Sequence, residues 1–330
     1  MGKRSYLISA KRSLSFCALI IMSSGILLAQ SYNHFTLHQY SPAFLNPASA
    51  GQSDEVRVAA FHRSQYVGLS SEAMGAQVVS VDAKLPGQPF TTGIHFNHDY
   101  IGLQRATGLR IDGGWQAIRQ KDFVLTAGIG VGFRSLSWDG NQMVTPEGIY
   151  TGGIDHQDDV LFNTVFNAQG FEWRAGVQFT HKRLNVDLGS INFPKAKRSG
   201  ENDYNVNASS QSWLRMKYDL NLGEEWRLIP QGLILTDGRL IQYSLAIHLT
   251  HDKWLLGLNQ RGLTSSTLDA VGATLGYNVG KNFRVLYNYE YNLSLLRSVN
   301  IGSHELCLTW RRPVKAKVGS WGRVYHGRYL

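Results

Sequence analysis

The chain has 330 residues, of which 17% are charged and 11% aromatic, and it contains 34 Gly but only 8 Pro. A charged fraction this low is unusual for a soluble enzyme, in which about 25% of residues are charged. Most of the formal net charge of +9 lies at the two ends of the chain, so the nearly neutral body between them offers no basic surface for nucleic acid.

Residues 1–29 are predicted to be a signal peptide for export from the cytoplasm. Four basic side chains precede the apolar run LSFCALIIMSSGILLA, and cleavage after Ala29 would make Gln30 the first residue. An uncleaved anchor is the alternative, but the SSG segment interrupts the apolar run. After cleavage only Cys307 remains, which excludes an intramolecular disulfide.

Residues 30–55 are predicted to form an N-terminal segment ahead of the first strand. The Asn46–Pro47 pair disfavours helix at Asn46 and favours a turn. The small residues from Ala48 to Gly51 permit close backbone packing. Such a segment is suited to plug a barrel mouth or to bind a periplasmic partner, but it could equally be an ordered lead-in to the first strand.

Alternation of apolar and polar residues dominates residues 56–310. In the stretch VLYNYEYNL, residues 285–293, the odd positions hold valine, three tyrosines and leucine, and the even positions are mostly polar. Successive side chains of a strand point to opposite faces, so this strand has one aromatic face and one polar face. The same alternation predicts strands at 56–63, 76–85, 91–99, 106–118, 123–139, 171–180, 184–192, 211–220, 226–236, 241–251, 254–260, 268–279, 283–293 and 303–310.

The connections between these strands alternate in length. Every second connection is a short turn, and the others are often longer, notably 140–170, 193–210 and 294–302. Bacterial outer-membrane barrels have short periplasmic turns and long extracellular loops, and their tilted strands need roughly 9–11 residues to cross the bilayer. We therefore predict an all-β fold, a transmembrane antiparallel β-barrel of about 14 strands in the outer membrane, surrounded by lipid. A soluble β-sandwich or propeller would also alternate but would not explain the loop asymmetry.

The predicted inner wall carries charges of both signs. Because an unpaired charge in a lumen with little water is costly, opposite charges on neighbouring strands are expected to pair. A wall of paired charges is favoured over a selectivity filter. The predicted inward charges are Asp82, Lys84, Glu172, Arg174, Asp187, Arg215, Lys217, Asp219, Arg284, Glu290 and Glu305.

No local motif predicts catalysis, a cofactor or a metal site. The phrase GIGVGF, residues 128–133, superficially resembles a phosphate loop, but no helix follows it, and packing explains its glycines. His95 and His98 differ in parity and would point to opposite faces of the strand, so they are poorly placed to bind one metal ion together. The neighbours from Ser303 to Glu305 likewise face apart and cannot form a Ser-His-acid relay among themselves.

The basic tail, residues 311–330, contains six bases and no acid, interleaved with aromatic residues. An even number of strands returns the chain to its starting side, which puts both the tail and the N-terminal segment in the periplasm. Such a tail suits an acidic protein surface or anionic lipid head groups. A solvated, disordered tail is the alternative.

Both ends of the mature chain resemble the PorP/SprF family of type IX secretion proteins of the Bacteroidota. The first phrase is HQYSPAFLNPASAG near the N-terminus, and the second is YNYEYNLSLLRSVNIGSHELCLTW near the end, with VDAKLP in between. The resemblance extends from residue 30 to about residue 312 and is strongest at both ends. The residues that match the motifs, expected to be structural or to dock a partner, are Gln39, Tyr40, Asn46, Pro47, Gly51, Gly302, Ser303, His304 and Glu305.

The resemblance implies a non-enzymatic outer-membrane component of type IX secretion or gliding machinery. Its implied partners are a secreted surface protein, such as a large adhesin that it helps to export or anchor, and periplasmic secretion components. A diffusion channel or hydrophobic-solute transporter is the second hypothesis, since a barrel of this size also suits that role. An outer-membrane lipid hydrolase is the third.

Overall fold

The computed structural model describes residues 35–52, 55–69, 74–158, 161, 163–192, 196–198, 205–206, 210–238, 240–263 and 268–314. The predicted signal peptide and the tail beyond residue 314 lie outside this part of the chain.

Strands make up most of the described chain. Their bounds are β1 Glu55–Gln65, β2 Met74–Lys84, β3 Phe90–Ile101, β4 Gln104–Arg119, β5 Phe123–Asp139, β6 Val165–His181, β7 Leu184–Asn192, β8 Ala196–Arg198, β9 Asn205–Val206, β10 Gln211–Tyr218, β11 Leu220–Asn221, β12 Trp226–Thr236, β13 Ile241–His251, β14 Trp254–Arg261, β15 Ala270–Val279, β16 Phe283–Asn292 and β17 Ser303–Pro313.

The strands form a closed antiparallel barrel of 14 strands. Successive strands pair along the chain, and β1 closes the barrel by pairing with β17, where Ala59 lies opposite Thr309. Three short strands are not counted among the 14: β11 continues β10 along β12, and β8 pairs with both β6 and β9. Each of the 14 predicted strands coincides with an observed one, so the predicted fold is confirmed.

Side chains alternate between the two faces of the wall as the sequence predicts. In β16, Leu286 and Asn288 are 0% exposed and point into the lumen, whereas Tyr287 and Tyr291 on the outer face are 43% and 49% exposed. The outer face is apolar and aromatic on every side, as a lipid-facing surface must be. The inner face holds the buried charges.

The two ends of the barrel differ in their connections. At one end, which we call the short-turn end, connections such as 182–183 and 252–253 have two residues, and Asp252 adopts a left-handed φ of 47°. At the other end, the long-loop end, the largest loop covers residues 140–164. It is shorter than the predicted loop 140–170, because β6 begins six residues earlier than predicted.

In the residues that the structure describes, helical structure is confined to single turns. Among the described residues, no helix has the length and apolar character needed to cross a membrane. The turns are His38–Tyr40, Pro42–Leu45, Pro47–Ser49, Gly140–Gln142 and Leu295–Ser298.

Candidate functional site

The lumen contains a segment of the chain itself, residues 35–52, which we call the plug. It leads from the long-loop end, where Arg63 donates to the Thr36 hydroxyl at 3.2 Å, to the short-turn end. There the backbone N–H of Gly51 donates to Asp82 at 2.9 Å. Gly51 has a φ of +56°, and a Cβ atom would collide with the backbone of β2, so this position requires glycine.

An even number of strands predicts that residues 30–55 lie in the periplasm, but the plug, which makes up most of the described part of this segment, lies within the barrel. The inner wall accommodates it because glycines leave room for its backbone. A Cβ atom at Gly128 would collide with the backbone of Pro47 and Ala48. Of the roles that the sequence left open, the plug is the one that the structure matches.

The GIGVGF phrase is explained by the same packing. It lies within β5, so no helix follows it. Its glycines point inward, where a Cβ at Gly130 would contact Arg174 and a Cβ at Gly132 would contact Arg110. The prediction that these glycines serve packing is confirmed.

At the long-loop end, the plug begins on a cluster of buried charges. The carboxylate of Glu305 accepts hydrogen bonds from the backbone N–H groups of Thr36 at 2.9 Å and Leu37 at 2.8 Å. Arg63 bridges Glu305 at 2.8 Å and Glu290 at 2.6 Å, and the Thr36 hydroxyl donates to Glu290. These charged side chains are at most 2% exposed, so each depends on its partner for compensation.

A chain of hydrogen bonds joins the middle of the plug to the wall. Ser41 Oγ donates to Ser80 Oγ at 2.8 Å, Ser80 Oγ lies 2.8 Å from His95 Nδ1, and His95 Nε2 lies 2.8 Å from Asp112 Oδ2. Arg174 pairs with Asp112 and also donates to backbone oxygens of the plug. Those oxygens belong to Ala43 at 3.0 Å and Phe44 at 2.5 Å.

Ser80, His95 and Asp112 are the residue types of a hydrolase relay. However, Ser80 and His95 are both 0% exposed, and the Ser80 hydroxyl already accepts a hydrogen bond from Ser41. The plug therefore occupies the side from which a substrate would have to approach. The arrangement attaches the plug to the wall, and it gives the hydrolase hypothesis no accessible nucleophile.

Asp187 is the contact point for the third turn of the plug. It accepts from the Asn46 side chain at 3.1 Å and from the Ser49 hydroxyl, and Arg215 compensates it at 2.6 Å. Asn46 Oδ1 also accepts from the N–H of Ala48 at 3.0 Å, which caps the turn Pro47–Ser49. The prediction that inward charges pair is confirmed here.

Gln39 and Tyr40 form the side of the plug that faces the short-turn end. Gln39 Nε2 lies 3.0 Å from His248 Nδ1, and the Tyr40 ring lies 5.9 Å from the His248 ring. The guanidinium of Arg284 sits 5.6 Å from the centroid of the Tyr40 ring. Burial raises the pKa of the Tyr40 hydroxyl well above its ordinary value, so this tyrosine is neutral.

In the phrase from Gly302 to Glu305, Glu305 is the residue that contacts the plug. Gly302 has a φ of +107°, and Ser303 Oγ accepts from the N–H of Tyr66 at 3.2 Å. Ser303 and Glu305 point inward, whereas His304 points outward and hydrogen-bonds a lipid-facing tyrosine. The prediction that these neighbours face apart is confirmed. Of the motif residues, Gln39, Tyr40, Asn46, Pro47 and Gly51 lie in the plug and Glu305 contacts it. A role in docking a partner stays a prediction.

Several residues that hold the plug were not singled out by the sequence. Arg63 and Asp112 are not among the predicted inward charges, although each is a charged residue at an inward position of its strand. His95 was considered only as a metal ligand. His95 points inward and His98 does not, so the two rings face apart as predicted. Among the described residues, no group of His, Cys, Asp or Glu is arranged to hold a metal ion.

The plug and the wall leave little space between them in the middle of the lumen. A cavity of about 50 Å³ lies beside Phe44 and Trp213. We call seven of the charged wall residues that contact or support the plug the seat. The seat comprises Arg63, Asp112, Arg174, Asp187, Arg215, Glu290 and Glu305.

Comparison with known proteins places these features in context. The family model described as "Type IX secretion system membrane protein PorP/SprF" matches residues 27–310. No curated protein matches the sequence. The protein lies in the outer membrane.

Solved outer-membrane barrels are similar in shape but distant in sequence. Omp33 of Acinetobacter baumannii is 11% identical, with a TM-score of 0.44, over 80% of this chain and 100% of its own. The toluene transporter TbuX of Ralstonia pickettii is 10% identical, with a TM-score of 0.48, over 82% and 93%. The monoaromatic hydrocarbon channel CymD is 10% identical, with a TM-score of 0.47, over 87% and 95%.

Proposed function

Since the chain belongs to the PorP/SprF family of type IX secretion membrane proteins, we propose that it is a non-enzymatic component of type IX secretion or gliding machinery that supports the export or surface anchoring of a partner protein, such as a large adhesin. Periplasmic secretion components are the second partner in this proposal.

The plug is the observation that carries the proposal. A segment of the chain itself fills the middle of the lumen and is bound there by buried ion pairs and backbone hydrogen bonds. A barrel whose lumen is filled in this way supports a partner at its ends more readily than it conducts solutes. Partner contacts are then expected at the long-loop end and at the short-turn end.

The loop 140–164 is the best candidate for holding an exported protein. Its described part is ordered: His156 is 1% exposed, and its Nε2 lies 2.9 Å from the carbonyl oxygen of Gly140. The loop nevertheless presents Val144 and Ile149 to solvent, with 78% and 54% of their surface exposed. Apolar side chains on a fixed loop favour a protein contact. The loop 193–210 is proposed to contribute at the same end.

At the other end, we propose that the basic tail, residues 311–330, contacts periplasmic components. Outer-membrane barrels place short turns in the periplasm, so the short-turn end is taken as the periplasmic side. The six bases of the tail, without any acid, support an acidic protein surface as the partner.

The experiment is a replacement of residues 143–154 by a Gly-Ser linker of equal length in the bacterium that encodes the protein. The large surface protein that co-purifies with the tagged wild type is expected to appear in the medium, while the amount of barrel in the outer membrane stays unchanged. Replacing residues 263–268, at the same end of the barrel, is the control and should retain the surface protein on the cell.

Two outcomes would overturn this function. The first is unchanged retention of every surface protein in the loop variant. The second is steady ion conductance by the purified wild-type protein in planar bilayers, which would favour the diffusion-channel hypothesis.

A further inference from the structure

Between the plug and the short-turn end, the lumen contains a cavity of about 440 Å³. We call this cavity the vestibule. Gln39, Tyr40 and Pro42 of the plug form its inner end. Among the described residues that line it there is no acid, and the uncharged ones are mostly amides and hydroxyls. Its basic side chains are Arg57, Lys217, Arg227, Arg284 and Arg311.

The vestibule has more positive charge than its surroundings compensate. Lys217 at 3.3 Å and Arg227 at 2.8 Å share one carboxylate, that of Asp219. Arg284 donates to the neutral side chain of Asn278 at 2.6 Å. In the described part of the chain, no carboxylate pairs with Arg284 or with Arg311.

Like charges on the wall of one cavity repel one another, and the low dielectric constant of the protein beside them strengthens this repulsion. An anion that enters the vestibule would remove this repulsion and would gain charge-assisted hydrogen bonds. Guanidinium groups present forked donors that match carboxylates, and the neighbouring amides and hydroxyls supply further hydrogen bonds. The cavity also falls within the size range of protein binding pockets, which is roughly 300–1,000 Å³.

The position of the vestibule selects among possible anions. Hydrogen-bonded strands close the wall around it, so a lipid could present its head group there only by taking its acyl chains out of the bilayer. Beyond Arg311, which lines the vestibule, the rest of the basic tail, residues 312–330, has five bases and no acid and is therefore repelled by the vestibule. A peptide from a periplasmic protein can enter from the open end.

We propose that the vestibule binds an acidic peptide segment of a periplasmic protein, whose carboxylates pair with Arg284, Arg311 and Arg227. The proposal rests on the proposed function for the identity of the periplasmic side and of the partner. Binding itself depends only on the geometry and charge of the vestibule.

The test uses the full-length mature protein in nanodiscs of phosphatidylcholine. The probe is a fluorescein-labelled peptide of five Asp-Glu repeats, and the control peptide has five Asn-Gln repeats. Fluorescence anisotropy is expected to show saturable binding of the acidic peptide alone. The double variant Arg284→Gln with Arg311→Gln should lower its affinity by about tenfold or more, because two charge-assisted contacts are lost.

The matched control is the double variant Lys281→Gln with Arg312→Gln. It removes the same charge next to the same two positions, but neither residue lines the vestibule. The affinity of this control variant for the acidic peptide should stay within about twofold of that of the wild type. The single variant Arg311→Gln, at an exposed position, is expected to weaken binding severalfold even if the double variant folds poorly.

Equal losses in the two double variants would overturn the proposal, because binding would then reflect general charge. Absence of saturable binding would also overturn it. Competition by phosphatidylglycerol nanodiscs, but not by unlabelled peptide, would assign the vestibule to lipid. If the peptide binds as expected while the variant with residues 143–154 replaced retains its surface protein on the cell, the peptide site is supported and the proposed function is contradicted.

Discussion

The seat and the vestibule lie in the same lumen and both contain several basic side chains, but they differ in how the charge of those side chains is compensated. In the seat, Arg63 meets two carboxylates and Arg174 meets one, all of them buried. In the vestibule, Lys217 and Arg227 share Asp219. Charges compensated from within hold the protein together, whereas charges in excess at an open cavity are available to a partner.

The largest expected effect comes from breaking the seat. Arg63→Met leaves Glu290 and Glu305 buried beside each other without this compensating charge, which should cost about 3–5 kcal/mol of unfolding free energy. Arg284→Met in the vestibule removes a repelled charge and should cost less than about 1 kcal/mol. Urea unfolding in lipid vesicles measures both. Equal costs would remove the distinction between the two regions.

The fit of the plug against the wall gives the next effect. Gly128→Ala places a methyl group against the backbone of Pro47 and Ala48, and overpacking of this kind costs about 1–3 kcal/mol. Gly113→Ala is the matched control, because a Cβ there meets nothing within 4 Å. The same unfolding assay should separate the two variants. A tolerated Gly128→Ala would mean that the plug is held loosely.

A smaller effect is expected from single polar contacts on the two sides of the plug. Asn46→Ala removes a turn cap and a hydrogen bond to Asp187 and should cost about 1–2 kcal/mol. Gln39→Ala removes one hydrogen bond to His248 beside the open vestibule and should cost about 1 kcal/mol or less. If Gln39→Ala cost more than Asn46→Ala, the plug would be held more firmly on the side that faces the vestibule.

The smallest effect is a response to salt. Raising the salt concentration screens charges that face water but hardly affects buried pairs. The wild type should therefore become slightly more stable as repulsion in the vestibule weakens, and the double variant Arg284→Gln with Arg311→Gln should lose this response. Unfolding midpoints at low and high salt measure the difference. A salt response that persists in the double variant would locate the repulsion elsewhere.

The sequence predicted the wall of the barrel better than its contents. Alternation in β16 assigns Tyr287 and Glu290 to opposite faces because strand geometry is local. Residue pairs between neighbouring strands, such as Arg215 with Asp187, follow from the same pattern. Both are therefore accessible from one sequence.

The plug could not be predicted in the same way. Its contacts join residues far apart in the chain, such as Thr36 with Glu305, and no periodic pattern marks them. One family phrase contains Glu305 and the other begins two residues after Thr36, but neither phrase shows that these residues meet. The inward glycines were a usable signal, since Gly128 and Gly132 leave space that something must fill.

The Arg63–Glu305 pair has a consequence for the order of assembly. It crosses the seam between β1 and β17, and its members are 242 residues apart, so the entropy of closing a long loop opposes its formation. Glu305 also needs the backbone of Thr36 and Leu37 as hydrogen-bond donors. Neither charge is fully satisfied until the two edge strands and the N-terminal segment meet. The seam and the segment that fills the lumen are therefore expected to form in one cooperative, late step of folding.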